Sequence, residues 1–183
     1  MVWLEEKEDW DLLNENRIPI GKTHPRGTAL PPGTFHQVVH ICIFWEGKLL
    51  IQQRQIWKKS WPGKWDVSVG GSVLAGETSR QAAEREIREE LGVSLSLSGK
   101  LPRLTMIYAD CFDDWWIIER KEPLATLCLQ ESEVKDAKWV DAEEVMAMLQ
   151  SGEMIAHPAW KGILGAWKES NGEGKMESSI MPE

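Results

Sequence analysis

Between Phe35 and Gln55 the chain reads FHQVVHICIFWEGKLLIQQRQ, two β-rich runs that break at Glu46-Gly47-Lys48, a pattern that predicts a hairpin of paired strands. WDLLNENRIPIG, from Trp10 to Gly21, alternates about Asn14-Glu15-Asn16 and predicts a shorter hairpin ahead of the main domain. The two are separated by PRGTALPPGT, Pro25 to Thr34, whose three prolines and two glycines suit neither a helix nor a central strand and mark a connecting loop. After a loop at Lys58 to Gly63, KWDVSV (Lys64 to Val69) is expected as one short strand. LTMIYADCFDDWWIIERKE carries strand-like runs on either side of Asp110 to Asp114, and DAKWVD (Asp136 to Asp141) adds another.

Two stretches change to helical spacing. In the first, Thr78 with Gln81 forms a capping-box pattern and Gly92 stands where a helix ends in a left-handed residue, so a helix is predicted over about Ser79 to Leu91. In the second, Asp141 starts a helix, Val145, Met148 and Leu149 fall on one face, and Gly152 ends it. ESNGEGKMESSIMPE, from Glu169 on, is polar and glycine-rich and is expected to be a loose tail. Strands mixed with two or three helices predict an α/β (α+β) layered domain with a mixed sheet. The expected boundaries are 1–34 for the hairpin and loop, 35–168 for the main domain and 169–183 for the tail.

Composition narrows the partners. The 183 residues carry a net charge of −8 with acids and bases interleaved, which leaves no basic stripe to grip a nucleic-acid backbone. There is no run of roughly 18 apolar residues and no signal-peptide pattern, so a soluble cytoplasmic protein is expected. Cys42, Cys111 and Cys128 are widely spaced and odd in number, which fits buried reduced thiols rather than a disulfide framework or a zinc site.

The stretch Gly71 to Val93, GSVLAGETSRQAAEREIREELGV, holds five glutamates. At about 100° per residue, with Glu86 at zero, Glu89 falls near 300° and Glu90 near 40°, while Ala83, Ile87 and Leu91 occupy roughly 60° to 140°. The three acids therefore share a stripe that borders the buried face. Like-charged neighbours one turn apart cost about 0.2–0.5 kcal/mol each when exposed, and more where water is excluded. Arg85 offsets one of them. A solvated acidic face is the ordinary explanation of such a run, but the adjoining core and the Gly70-Gly71 pair, which lets a ligand approach the backbone, favour a bound hard cation, Mg²⁺ or Mn²⁺.

Gly71, Glu77, Arg85-Glu86-Ile87, Glu89-Glu90 and Gly92-Val93 match every fixed position of the Nudix box, G-x5-E-x7-R-E-U-x-E-E-x-G-U with U aliphatic, and by this the chain resembles the Nudix hydrolase superfamily. The resemblance extends over roughly Phe35 to Trp167. It implies the Nudix fold, a mixed sheet sandwiched between helices, here with an N-terminal hairpin extension, and a loop–helix–loop that holds Mg²⁺ against a diphosphate.

Trp10 to Leu13, His36 to Phe44, Gln53-Arg54 and Lys58 to Asp66 are similar to the branch containing isopentenyl-diphosphate isomerase. The isomerase's catalytic cysteine and metal-site histidine lie in a Cys-Gly-His stretch before the box, where this chain has Gly70-Gly71-Ser72. Both are missing, and the intact box points to hydrolysis. His24 and His36 resemble two further metal-binding histidines of the isomerase, without their third partner.

By resemblance, Glu86 and Glu90 are the metal ligands, helped by Glu89 and a carbonyl near Gly70 or Gly71. Arg85 orients a box glutamate. The general base is a box glutamate or a later acid, with Asp113, Asp114, Glu131 and Glu133 as candidates. Arg54 either contacts phosphate or makes a surface ion pair.

Trp57, Trp61, Trp65, Trp115 and Trp116, among eleven tryptophans, lie in segments expected to approach the metal site. There an indole either stacks on a base or packs in the core. Trp61 and Trp65 belong to the shared segment and are expected to be structural. Trp115 and Trp116 alternate on a strand, so at most one faces the site; Trp116 is the candidate. The reading is a hydrolase, dependent on Mg²⁺ or Mn²⁺, of a small diphosphate, a nucleoside diphosphate derivative in the first place, with a prenyl or other diphosphate left open. The alternatives are an isomerase-like enzyme and a nucleotide-binding sensor without turnover. A homodimer is a further expectation.

Overall fold

Strands β1 (Asp9–Leu13) and β2 (Pro19–Pro25) form the expected antiparallel hairpin, with Asp9 opposite Pro25 and Leu13 opposite Pro19. Asn14 builds the turn: its side-chain oxygen accepts from the backbone N–H of Asn16 and of Ile18, the local bonding that favours asparagine there. The computed structural model describes residues 8–122, 124 and 126–170. The remaining elements are β3 (His36–Trp45), β4 (Lys48–Arg54), β5 (Trp65–Asp66), β6 (Val69–Ser72), α1 (Ser79–Leu91), β7 (Leu104–Tyr108), β8 (Cys111–Arg120), β9 (Val134–Val140), α2 (Ala142–Ser151) and α3 (Trp160–Ser170).

The chain from 65 to 72 decides the shape of the sheet. β3 and β4 pair directly only at their turn, Phe44 with Leu49 and Trp45 with Lys48. Beyond it they part, and the later segment threads between them: Asp66 pairs with Gln52 on β4, then Gly71 pairs with Val39 on β3. One extended segment thus serves two partners, which is why the single strand expected over Lys64 to Val69 is two strands. Ser68 bridges the changeover, its buried hydroxyl accepting from the Ile43 N–H (2.8 Å) and donating to the Leu50 carbonyl (2.5 Å). β9 lines the other edge of β4, β8 runs parallel to β3, and antiparallel β7 closes the far edge. One parallel pair in an otherwise antiparallel sheet makes it mixed.

Alternation along β3 assigns the two faces. Val39, Ile41 and Ile43 pack with Ala82, Ala83, Ile87 and Leu91 of α1, and with Trp116 of β8. Cys42, Phe44 and Trp115 point the other way, under Val145 and Met148 of α2 and Trp160, Ile163 and Trp167 of α3. The sheet is therefore sandwiched between helices, as expected. α3 was not among the elements expected: Gly162 and Gly165 weaken its helix propensity, and its apolar stripe is what packing secures. Glu169 and Ser170 of the expected tail end α3, and residues 171–183 lie outside the described residues. Among the described residues no helix is long and apolar enough to cross a membrane.

Candidate active site

α1 forms where its ends require it. Thr78 accepts from the Gln81 N–H (3.3 Å), the Gln81 side chain accepts from the Thr78 N–H (2.9 Å), and Gly92 closes the helix at φ 69°. This places Glu86 and Glu90, one turn apart, under β6. Gly71 makes room for the first of them. A methyl group on Gly71 would lie 2.0 Å from Glu86 Oε1 and 2.6 Å from its Cγ, so the carboxylate occupies the space of the missing side chain. Gly70 presents the opposite face of the sheet, where a methyl would meet the His40 ring at 3.3 Å.

Arg85 gathers the acids. Its Nε and Nη2 donate to the two oxygens of Glu77 (2.8 and 3.0 Å), and its Nη1 donates to Glu86 (2.9 Å) and Glu89 (3.1 Å). Nη2 also donates to the Ser72 carbonyl (2.9 Å), which ties α1 to the end of β6. Glu77 accepts in addition from the Leu74 N–H (3.0 Å) and so shapes the loop between them. One planar fork with five donors does what a lysine would not.

Glu90 lies deeper, only 5% exposed, and among the described residues its side chain accepts from Gln52 Nε2 at 2.9 Å. Burial, and then the nearby charge of Glu86, holds its carboxyl well above the usual range against the Gln52 bond. Burial pushes Glu86 up to about 7; Arg85 opposes this and Glu89 adds to it. A buried and a half-buried carboxylate with too few donors are costly as anions. Their all-oxygen donor set fits a hard divalent cation. Among the described residues no three His, Cys, Asp or Glu groups stand ready around one ion, but Mg²⁺ is commonly held by one or two carboxylates with waters and substrate oxygens completing its shell.

The raised Glu86 carboxyl has a consequence for the metal-free protein. It binds its proton in the folded state up to about pH 7, against 4.5 as the ordinary value, so the folded chain holds a proton that the unfolded chain has lost between those limits. Stability is fully present below about pH 4.5 and is lost as pH rises through about 7. Glu86→Gln is therefore expected to be more stable than the parent at pH 8 by up to roughly 3 kcal/mol, from about 1.4 kcal/mol per unit, and to converge with it near pH 4. Urea unfolding with chelator at both pH values checks this; a difference independent of pH would contradict it.

The other candidates scatter. Asp113 and Asp114 lie within β8 rather than in a loop, because the turn is already complete at Asp110. Asp114 is engaged by Arg17, Gln37 and Thr105, and Asp113 Oδ1 sits 2.7 Å from His40 Nδ1 in the core beneath α2 and α3. Neither is directed at Glu90. Glu131 and Glu133 occupy the turn before β9; Glu133 pairs with Lys58, and its charge acts on Glu90. Arg54 donates from Nε to the Ser60 carbonyl (3.1 Å). Trp116 is not a stacking surface: it is 3% exposed, its indole N–H donating to Ser79 Oγ (3.1 Å) beneath α1. Trp115 is buried on the opposite face and Lys138 covers Trp65.

His24 is half-buried beside Thr28, whereas His36 is stacked on Trp10 at 4.0 Å. Of the three free thiols only Cys42 is buried; Cys111 is half-buried and Cys128 exposed. Sequence reasoning missed Gln52, for which no local signal exists 38 residues from Glu90. It also missed the grip of β1 on the box loop, where Asp9 and Asp11 accept from the N–H groups of Ala75 (2.8 Å) and Gly76 (2.7 Å).

Comparison with known proteins gives a consistent result. Residues 34–158 match the NUDIX domain. The chain is 52% identical over 151 residues to an uncharacterized Nudix hydrolase of Listeria monocytogenes, covering 82% of this chain and 89% of that protein. It is 41% identical over 88 residues to an isopentenyl-diphosphate Delta-isomerase of Streptomyces coelicolor, 48% of this chain and 45% of the isomerase. The crystal structure of DR0079 from Deinococcus radiodurans superposes with a TM-score of 0.71 at 27% identity, covering 87% of this chain and 98% of that one. With the box geometry in place around Gly71, Arg85, Glu86 and Glu90, and with that extent of similarity, the chain belongs to the Nudix family.

Proposed function

We propose that the protein is a Mg²⁺-dependent hydrolase, with Mn²⁺ able to substitute, that cleaves the diphosphate linkage of a small molecule, a nucleoside diphosphate derivative. The observation that carries this reading is the pair Glu86, half-buried, and Glu90, buried, one turn apart beside a glycine that yields its side-chain space to Glu86. Glu86 and Glu90 hold the cation, with Glu89 and the Gly71 carbonyl beside them. When bound, the cation neutralises charge on the diphosphate and lowers the pKa of the attacking water. Arg85 keeps Glu86 and Glu89 aimed by its fixed fork. The proton of that water goes to Glu89 or Glu133, and Arg54 supplies positive charge for a phosphate oxygen.

The isomerase reading is disfavoured by Gly70-Gly71-Ser72, which offers neither a thiol nor an imidazole for proton transfer at carbon. Phosphate release from nucleotide, dinucleotide, sugar-nucleotide and prenyl diphosphates, with Mg²⁺ or Mn²⁺ and with chelator, tests the proposal. Metal-dependent release from a nucleoside diphosphate derivative is the expected result. Tight nucleotide binding without release from any substrate would identify a sensor instead.

A further inference from the structure

Three large apolar side chains stand in water on one loop between β4 and β5: Ile56 (64% exposed), Trp57 (64%) and Trp61 (58%). Tryptophan is usually well buried, and this chain buries Trp115, Trp116, Trp160 and Trp167. Trp61, expected from the sequence to be structural, also has φ 53°, a conformation that non-glycine residues rarely adopt. Backbone strain of that kind concentrates at ligand clamps.

The loop is pinned rather than loose. Gln55 Nε2 donates to the Glu131 carbonyl (2.8 Å) and Gln53 Nε2 to the Gly63 carbonyl (2.9 Å), while Lys58 pairs with Glu133. The Trp57 indole N–H donates to the Ser132 carbonyl (3.3 Å), so the ring is tethered at its polar edge while most of its surface remains open. Its position follows from the strand. Gln52, whose side chain holds Glu90, is three residues before Gln55, about 10 Å at 3.3 Å per residue. The turn that receives Trp57 is fastened to α1 by the Gln130 N–H on the Glu90 carbonyl (3.0 Å). The turn that takes the Trp57 N–H is thus joined to the helix that carries Glu90, and the charge of Glu133, next to Ser132 in that turn, acts on Glu90.

We propose that Trp57, flanked by Trp61 and Ile56, is the stacking surface for the aromatic base of the substrate. The proposal rests on the hydrolase reading above and specifies a nucleoside rather than a prenyl group as what the diphosphate carries. A planar base gains from one oriented indole face left open to solvent. A flexible hydrocarbon gains by enclosure in a concave apolar site, and these side chains project outward.

Trp57→Ala, Trp57→Phe and Trp61→Ala, assayed with Mg²⁺ on ADP, CDP and their base-free counterpart ribose 5-diphosphate, test it. Trp57→Ala is expected to lower the preference for base-bearing over base-free substrate, as a ratio of kcat/KM, by on the order of tenfold through KM, with Trp57→Phe restoring most of it. An equal loss on both substrates, or an unchanged ratio, overturns the proposal; so does a loss on geranyl diphosphate as large as that on nucleotides. Calorimetric Kd for ADP and for pyrophosphate is measured on the same variants. If the parent hydrolyses nothing, the reaction assigned above fails, and the stacking surface stands or falls on whether Trp57→Ala weakens ADP binding and spares pyrophosphate.

Discussion

Glu90→Gln is expected to lower metal-dependent turnover by on the order of 10³-fold while the protein remains folded. The side chain is 5% exposed and its protein hydrogen-bond donor is Gln52; a glutamine of the same shape still offers an oxygen to that donor and withdraws only the charge. A ligand carboxylate contributes several kcal/mol through the cation it holds, and each 1.4 kcal/mol is a factor of ten. Stability moves the other way. The parent must keep a carboxyl deep in the core whose ionised form burial disfavours, and an uncharged amide removes that burden. The checks are kcat and Mn²⁺ affinity alongside urea unfolding at neutral pH. Unchanged turnover with unchanged Mn²⁺ affinity would place the cation elsewhere and remove Glu90 from the site.

Gly71→Ala is the second large effect, and it is steric. The added methyl would stand 2.0 Å from Glu86 Oε1 and 2.6 Å from Cγ, so Glu86 must leave its position or β6 must shift. Displacing a catalytic group by about 1 Å costs on the order of 10²-fold, and overpacking adds about 1–3 kcal/mol of destabilisation. Gly70→Ala is the internal comparison: its methyl faces His40 at 3.3 Å on the other side of the sheet and leaves the carboxylates untouched. kcat/KM for both variants decides the matter. Equal loss in the two would mean that β6 tolerates no side chain at all, and that the clash with Glu86 is not the cause.

The helix that carries the site was legible because its determinants are local. Thr78, Gln81 and Gly92 fix its ends within a few residues, and the spacing of Ala83, Ile87 and Leu91 fixes which side is buried. The adjacency of Glu86 and Glu90 then follows from 3.6 residues per turn. The same logic placed Trp115 and Trp116 on opposite faces of one strand. Trp116 was expected to face the site, yet it is buried as Trp115 is: both cores are closed by helices packed from distant parts of the chain.

Strand partners are chosen by neighbours that lie far away in sequence, and there local reading gave out. KWDVSV reads as one strand, yet its backbone divides between β4 and β3 because those two strands diverge after their turn. Asp113 and Asp114 look like acids near a loop, but the register of β8 against β3 sends one to His40 and the other to Arg17 of the hairpin. α3 is held chiefly by the apolar stripe of Trp160, Ile163 and Trp167 on the sheet, with two glycines against it.

By itself, then, the sequence determined the carboxylate helix, its caps and the adjacency of Glu86 and Glu90 on it, since all of these are set by spacing within one segment; that Gly71 yields its side-chain space to Glu86 came from the packing of β6 on α1. Tertiary structure decided which acids outside that segment come near the site, that Gln52 serves Glu90, and that Trp57 and Trp61 are the exposed indoles among the described residues. Those outcomes depend on strand pairing and on the packing of layers, where contact is made between residues that no local periodicity connects.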